Sequence, residues 1–414
     1  MNKIAVFGFA IVLLGAQACA APPTPRETPD AAASSKSDVL IAEDARIQAF
    51  ENEIVALEDR AQTSARKWSI HERMTAHGVP GVSVAIIEDG EVIWTQGYGV
   101  ISALSKEPVD SQTVFSAGSV SKLINATLIL RLVQEERLDL DEDVNVYLKS
   151  WKAPDNKYTR ARKVTLRSLL SHTSGFSQHG FPDFNPDEDL PTVLQTLNGQ
   201  SPAKHRAVRL MFEPGMRMKY SGGGVTVSQL VVQNVTGMTY PEAARQYVFE
   251  PLGMKRSTFA NPLPESHGNI AKAHDKDGDP RALPRGYETM PEMAASGLWT
   301  SAEDMAIFIK AVLHDADFLS DTLRADMLTR VPLSWHGLGP RLNGSDETFV
   351  FHHGGSNNSY QTWVEGHPAK GDGFVVLTNG EAGRKLAYEL RVAAERAFGW
   401  AIHFPDDFDE PDFN

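Results

Sequence analysis

Apolar residues recur three or four positions apart at Ile47, Phe50, Ile54, Leu57, Ala61 and Trp68, with charged and amide side chains between them. That stripe predicts an amphipathic helix over about residues 39 to 76. The period then changes. The segment GVSVAIIEDGEVIWTQGYG carries two apolar runs joined at Asp89-Gly90, a dipeptide suited to the left-handed turn of a tight hairpin. Strand character returns only near the C-terminus, in FVFHH, SYQTWVEG and GFVVLTN, followed by the helical ELRVAAERAFGW. Residues 116–290 read as helix and loop, and Leu123 to Val133 is apolar on nearly every side, so it is expected to be a buried helix. If the two strand blocks build one sheet, the middle of the chain must leave that sheet and return. The expected architecture is α/β (α+β): an antiparallel sheet flanked by helices from residues 39–115 and 291–403, with an all-helical insert at 116–290 and a cleft at the join.

Both ends depart from this pattern. Residues 1–18 begin MNK, run through IAVFGFAIVLL and turn small at GAQACA, the order of regions in a secretory signal peptide. The apolar run is too short to span a membrane comfortably. Cleavage before Cys19 would expose a thiol for lipid attachment, since GAQAC resembles a bacterial lipobox, whereas cleavage at Ala20 would release a soluble periplasmic or secreted protein. The lipid-anchored form is the one expected, because it gives a lone cysteine at that place a purpose. Residues 19–38 are rich in Pro, Ala and Ser without periodicity and read as a disordered tether. Residues 404–414 read as an acidic, solvated tail.

Composition narrows the field. With 414 residues, 42% hydrophobic and 22% charged, the chain can bury a large core as an ordinary globular protein. A net charge of −13 without a basic stripe argues against a nucleic-acid partner. A single cysteine excludes an intramolecular disulfide, a cysteine-cluster zinc site and an iron–sulfur cluster. The run HDKDGDP hints at a calcium loop, but its glycine is misplaced and the twelfth position would be Gly286, so Asp275 to Asp279 is expected to be a polar turn. Neither a metal nor a cofactor is expected.

The chemistry gathers in a few peptides. VFSAGSVSKLINATLILRL puts Ser119 three residues before Lys122, on one helical face. A serine hydroxyl is a weak nucleophile until a base takes its proton, and a lysine desolvated on a buried helix has its pKa pushed down toward that task. KYSGGGVTVSQL sets Tyr220 beside a glycine run, and FVFHHGGSNNSY ends a strand at His353 with Gly354, Gly355 and Ser356 behind it. A substrate can lie against such a strand edge, and its backbone N–H groups are then free to donate.

These peptides, with the LRSLLSHTSGF loop, VFEPLGMKRST and AASGLWTSAEDMAIF in order, resemble the serine β-lactamase and penicillin-binding superfamily. The nearest branch holds class C β-lactamases, D-alanyl-D-alanine carboxypeptidases and family VIII esterases, and the resemblance runs from about Gly78 to Trp400. It implies a β-lactamase/transpeptidase-like fold and acylation of Ser119 followed by hydrolysis. By position, it puts the helical lysine on Lys122 and the proton-sharing tyrosine on Tyr220. His353, Gly354 and Gly355 fall on the Lys-Thr-Gly strand motif, and the N–H groups of Ser119 and Ser356 on the oxyanion hole. The implied substrate-binding residues are thus Ser119, Ser356, His353, Gly355 and Gly222.

One departure stands out. The family's Tyr-x-Asn has Gly222 at its third position, removing the side-chain amide that holds β-lactam and peptide amides. An ester, with no side-chain amide to hold, misses it least; an ester or D-amino-acid peptide is the expected substrate, with a class C-like β-lactamase and a non-catalytic penicillin-binding-like sensor or scaffold as the alternatives. His172 matches a family loop and is expected to be structural. His352 and His353 point to opposite strand faces, so at most one is expected to line the cleft. Trp299 and Trp335 are expected in the core or the cleft wall.

Overall fold

The structure, a computed structural model, describes residues 44–59, 62 and 64–400. The expected signal peptide, the tether with Cys19 and the acidic tail lie outside them. No helix among the described residues is long and apolar enough to cross a membrane.

Six strands form one antiparallel sheet: β1 (Gly81–Glu88), β2 (Glu91–Gly99), β3 (Arg341–Asn343), β4 (Val350–Ser356), β5 (Gln361–His367) and β6 (Asp372–Thr378). Their order is β2-β1-β6-β5-β4-β3. The β1–β2 turn has Asp89 at φ 49° and Gly90 at φ 77°, both left-handed, as the dipeptide predicts. The two strand blocks meet where β1 pairs with β6, Val82 opposite Thr378 and Ile87 opposite Gly373. The sheet is accordingly built from both ends of the described chain.

The helices used below are α1 (Ala45–Asn52), α2 (Ile70–Ala76), α3 (Ser121–Gln134), α4 (Gly222–Thr236), α5 (Ala302–His314) and α6 (Gly383–Phe398). The single helix expected before the sheet is in fact two, α1 and α2, separated by a ribbon in which Ile54–Val55 pairs with Lys67–Trp68. Ser69 restarts the helix with a reciprocal cap to Glu72, which satisfies donors that a continuous helix would use internally. Ile47, Phe50 and Ile54 are nonetheless all buried in one cluster. The helical spacing therefore recorded a shared apolar wall rather than one continuous element.

Alternation along β1 sets the layers. Val82, Val84 and Ile86 face one way, into a cluster with Phe374, Val376 and, from α6, Leu386 and Leu390. Ala85 and Ile87 face the other way, into the larger core that contains Phe308 and Ile309 of α5 and most of α3. Covered on both faces, β1 reads as a nearly unbroken apolar run. α3 is buried on almost every side, Lys122 included, as its sequence predicts.

The loop that carries Ser119 is set between these parts. Phe115 and Ser116 pair with Thr300 and Trp299, and the chain then turns at Gly118, φ 49°, into α3. A Cβ on Gly118 would lie 2.8 Å from the Ser356 nitrogen, and one on Gly355 only 2.0 Å from the Ala117 oxygen. Glycine at both places lets the loop before α3 lie directly against the end of β4.

Candidate active site

Ser119 occupies a tight turn ahead of α3, in which the Lys122 N–H donates to the Ser119 carbonyl at 3.0 Å. One turn on, the Lys122 side chain is enclosed; its Nζ lies 3.0 Å from Ser119 Oγ and donates to the Ala295 carbonyl at 2.7 Å. Burial, reinforced by the positive charge of Arg341, pulls the Lys122 pKa down to about 7. A substantial fraction of this amine is neutral at physiological pH, within hydrogen-bond reach of the serine hydroxyl.

Tyr220 closes the group. Its ring centre is 4.9 Å from Lys122 Nζ. Burial pushes its pKa up to about 12, against the opposing pull of the Ser119 side chain and of Arg341. Tyr220 is thus a protonated donor at neutral pH, and Lys122 is the group able to accept a proton.

His172 holds Tyr220 in place. The Lys219 N–H donates to its carbonyl at 2.8 Å and the Ser221 N–H to its Nδ1 at 3.2 Å, so it grips the chain on both sides of Tyr220. Its ring packs 4.3 Å from the Tyr220 ring, and its backbone sits at φ 59°, a conformation costly for a non-glycine residue. Burial and the nearby charges of Lys122 and Arg341 hold its pKa well below the usual histidine range, which keeps the ring uncharged. Ser221 then caps α4 by accepting from the Gly224 N–H at 2.8 Å.

Gly222 opens α4. A Cβ there would come 2.9 Å from Phe181 Cε2 and 3.1 Å from the His179 carbonyl, so the place of a Tyr-x-Asn side chain is filled by the loop around His179 to Phe181. Restoring the residue as Gly222→Asn is expected to cost about 1–3 kcal/mol of stability by overpacking. A urea melt measures this, and adding Phe181→Ala should recover most of the loss.

A cavity of about 1080 Å³ joins these groups; Ser119, Lys122, Tyr220, Gly222, Gly355 and Ser356 all line it. His353 is the exception and corrects the expectation that it touches substrate. Its imidazole is 1% exposed, bonds the Gly354 carbonyl through Nδ1 at 2.7 Å and stands 6.5 Å from the Tyr220 ring. The inward face of β4 is closed over by Tyr220 and His336 at that point. His352 borders the cavity instead, stacked on Trp363 at 4.8 Å. Trp299 is buried, whereas Trp335 is half-exposed in the cavity wall. The run around Asp275 is a turn in which one carboxylate oxygen accepts from the N–H groups of Asp277 and Asp279.

Two lining residues escaped sequence reasoning. Arg341 on β3 pairs with His352 and sets its guanidinium 5.9 Å from the Tyr220 ring. Asp183 lines the cavity from the loop after Phe181. Neither sits in a recognisable motif, and only strand pairing and loop packing bring them to the site.

The β-lactamase family profile matches residues 69–398. The chain belongs to the β-lactamase family. Protein flp of Staphylococcus aureus (strain MW2) is 26% identical over 317 residues, covering 75% of this chain and 61% of the relative. The putative penicillin-binding protein PbpX of Bacillus subtilis (strain 168) is 25% identical over 285 residues, 68% of this chain and 67% of that one. Among solved structures, the octameric penicillin-binding protein homologue from Pyrococcus abyssi aligns with a TM-score of 0.64 at 25% identity, over 80% of this chain and 76% of its own. This β-lactamase-family chain thus spans about three fifths of the length of protein flp.

Proposed function

We propose that this chain is an exported serine hydrolase that forms an acyl-enzyme on Ser119 and acts on an ester or a D-amino-acid peptide. The observation that carries the reading is the neutralisable Lys122 amine 3.0 Å from Ser119 Oγ. Lys122 takes the hydroxyl proton as Oγ attacks the substrate carbonyl, and the tetrahedral oxyanion is met by the N–H groups of Ser119 and Ser356. Each such donor contributes roughly 3–4 kcal/mol in acyl-transfer enzymes. The proton passes through Tyr220 to the leaving group, whose bond to the carbonyl carbon breaks. A water molecule activated by the same pair then hydrolyses the ester on Ser119.

Two features bear on the substrate. Arg341 supplies fixed positive charge beside Tyr220, in place of the charge that the neutral His353 does not provide, and so favours a leaving group with a carboxylate. The filled space at Gly222 leaves no side-chain amide for a β-lactam acylamino group, which favours ester chemistry over β-lactamase activity. A panel of a p-nitrophenyl ester, a D-alanyl-D-alanine peptide and a chromogenic cephalosporin tests this. Turnover of the ester or the peptide, with the cephalosporin slowest, supports the reading; rapid cephalosporin turnover reverses the preference, and turnover of none leaves the sensor.

Export rests on the leader, and attachment through Cys19 on the lipobox-like GAQAC. Metabolic labelling with a radioactive fatty acid in a bacterial host should mark the protein, and Cys19→Ala should remove the label. A labelled Cys19→Ala protein contradicts the anchor.

A further inference from the structure

We propose that the cavity receives a primary ammonium group on the acyl portion of its substrate, with Asp183 as the receiving carboxylate and Glu288 behind it. This rests on the acyl-enzyme reading above and adds a substrate class to it.

Asp183 lines the main cavity and also an adjoining one of about 480 Å³ that contains Glu288. Its place relative to Ser119 follows from the chain: the Asn358 N–H donates to Asp183 Oδ2 at 3.1 Å. Asn358 is two residues beyond Ser356, so at most about 7 Å of backbone separates their Cα atoms. The carboxylate therefore stands within about 10 Å of the proposed oxyanion donor, past the end of β4. Arg341 stands toward the other end of that strand, opposite His352. A substrate lying along β4 meets positive charge near one end and negative charge near the other.

The negative end is short of partners. Glu288 is 5% exposed; its Oε1 accepts from the Ser359 hydroxyl at 2.5 Å, while its Oε2 has no partner among the described residues. Glu292, also buried, likewise has an unpartnered Oε2. The nearby cations compensate these carboxylates only in part, and Lys204 meets Asp183 at its backbone carbonyl, 3.1 Å away, rather than at its carboxylate. Arg281 bonds Glu381 at 2.5 Å and the Asn358 carbonyl at 3.0 Å, with its Nε 3.8 Å from Glu288. Lys204 pairs with Glu188 at 2.6 Å, and His205 is 3.7 Å from Glu292. Buried carboxylates without full compensation are costly. Burial, with the Glu288 charge adding to it, holds the Asp183 pKa up to about 7. An arriving ammonium group stabilises the ionised form and makes a charge-assisted hydrogen bond.

A matched pair of substrates tests this: D-alanine p-nitrophenyl ester and p-nitrophenyl isobutyrate, in which a methyl group replaces the ammonium. Each kcat/KM is divided by that ester's uncatalysed rate. The protein is expected to prefer the D-alanine ester at least tenfold. Asp183→Asn should remove most of that ratio, Asp183→Glu should restore part of it, and Glu288→Gln should weaken it. Equal hydrolysis of the two esters by the unaltered protein overturns this inference alone, as does an Asp183→Asn variant that slows both equally. Hydrolysis of neither ester removes the acyl-enzyme reading and this inference together.

Discussion

Ser119→Ala should lower kcat/KM for a p-nitrophenyl ester by at least about 10³-fold while leaving the thermal midpoint nearly unchanged. The size follows from losing the only atom that forms the covalent bond, a change worth several powers of ten where a nucleophile acts with its base as a unit. The small stability cost follows from the surroundings. Ser119 lies in a half-buried turn, and Lys122 keeps its bond to the Ala295 carbonyl when the hydroxyl is gone, so the buried amine is not orphaned. Steady-state kinetics beside a thermal melt decides it. Retained ester turnover in the folded variant would place the chemistry on another residue.

The second large effect concerns Lys122. In Lys122→Arg the positive charge remains, but a guanidinium does not deprotonate in a protein. The general base is lost and turnover should fall about 10²- to 10⁴-fold. The pH profile gives the sharper readout. With its pKa pulled down to about 7, Lys122 is mostly protonated below that pH and mostly neutral above it. The kcat/KM of the unaltered protein should therefore climb through pH 7 and level off, since Tyr220 keeps its proton up to about 12. In the arginine variant the residual rate should lack that rising limb. A limb that persists in the variant assigns the titration to another group and removes Lys122 as the base.

Much of this arrangement is legible in the sequence, for identifiable physical reasons. The Asp89-Gly90 hairpin, the apolar run of β1 and the buried α3 follow from local conformational preference and period. The pairing of Ser119 with Lys122 follows from their three-residue spacing, although Ser119 lies in the turn ahead of α3 rather than in the helix. What is not legible depends on distance in the chain. Phe50 and Ile54 present a helical spacing although Ile54 lies in a short strand, because both answer to the same core under the sheet. His353 satisfies a strand motif yet is closed off by Tyr220 and His336, residues more than 100 and only 17 positions away respectively. Arg341 and Asp183 reach the cavity through a three-residue strand and an irregular loop, neither of which has a periodic signature. Gly222 was visible as a departure, but only packing shows that Phe181 and His179 occupy the vacated place.

The account depends most directly on a covalent bond at Ser119. Peptide mass spectrometry after treatment of the folded protein with a fluorophosphonate probe reads that bond. The adduct is predicted on Ser119, and its formation should accelerate as the pH rises through 7. An unlabelled Ser119 in folded protein, or an adduct confined to another serine, would contradict the account.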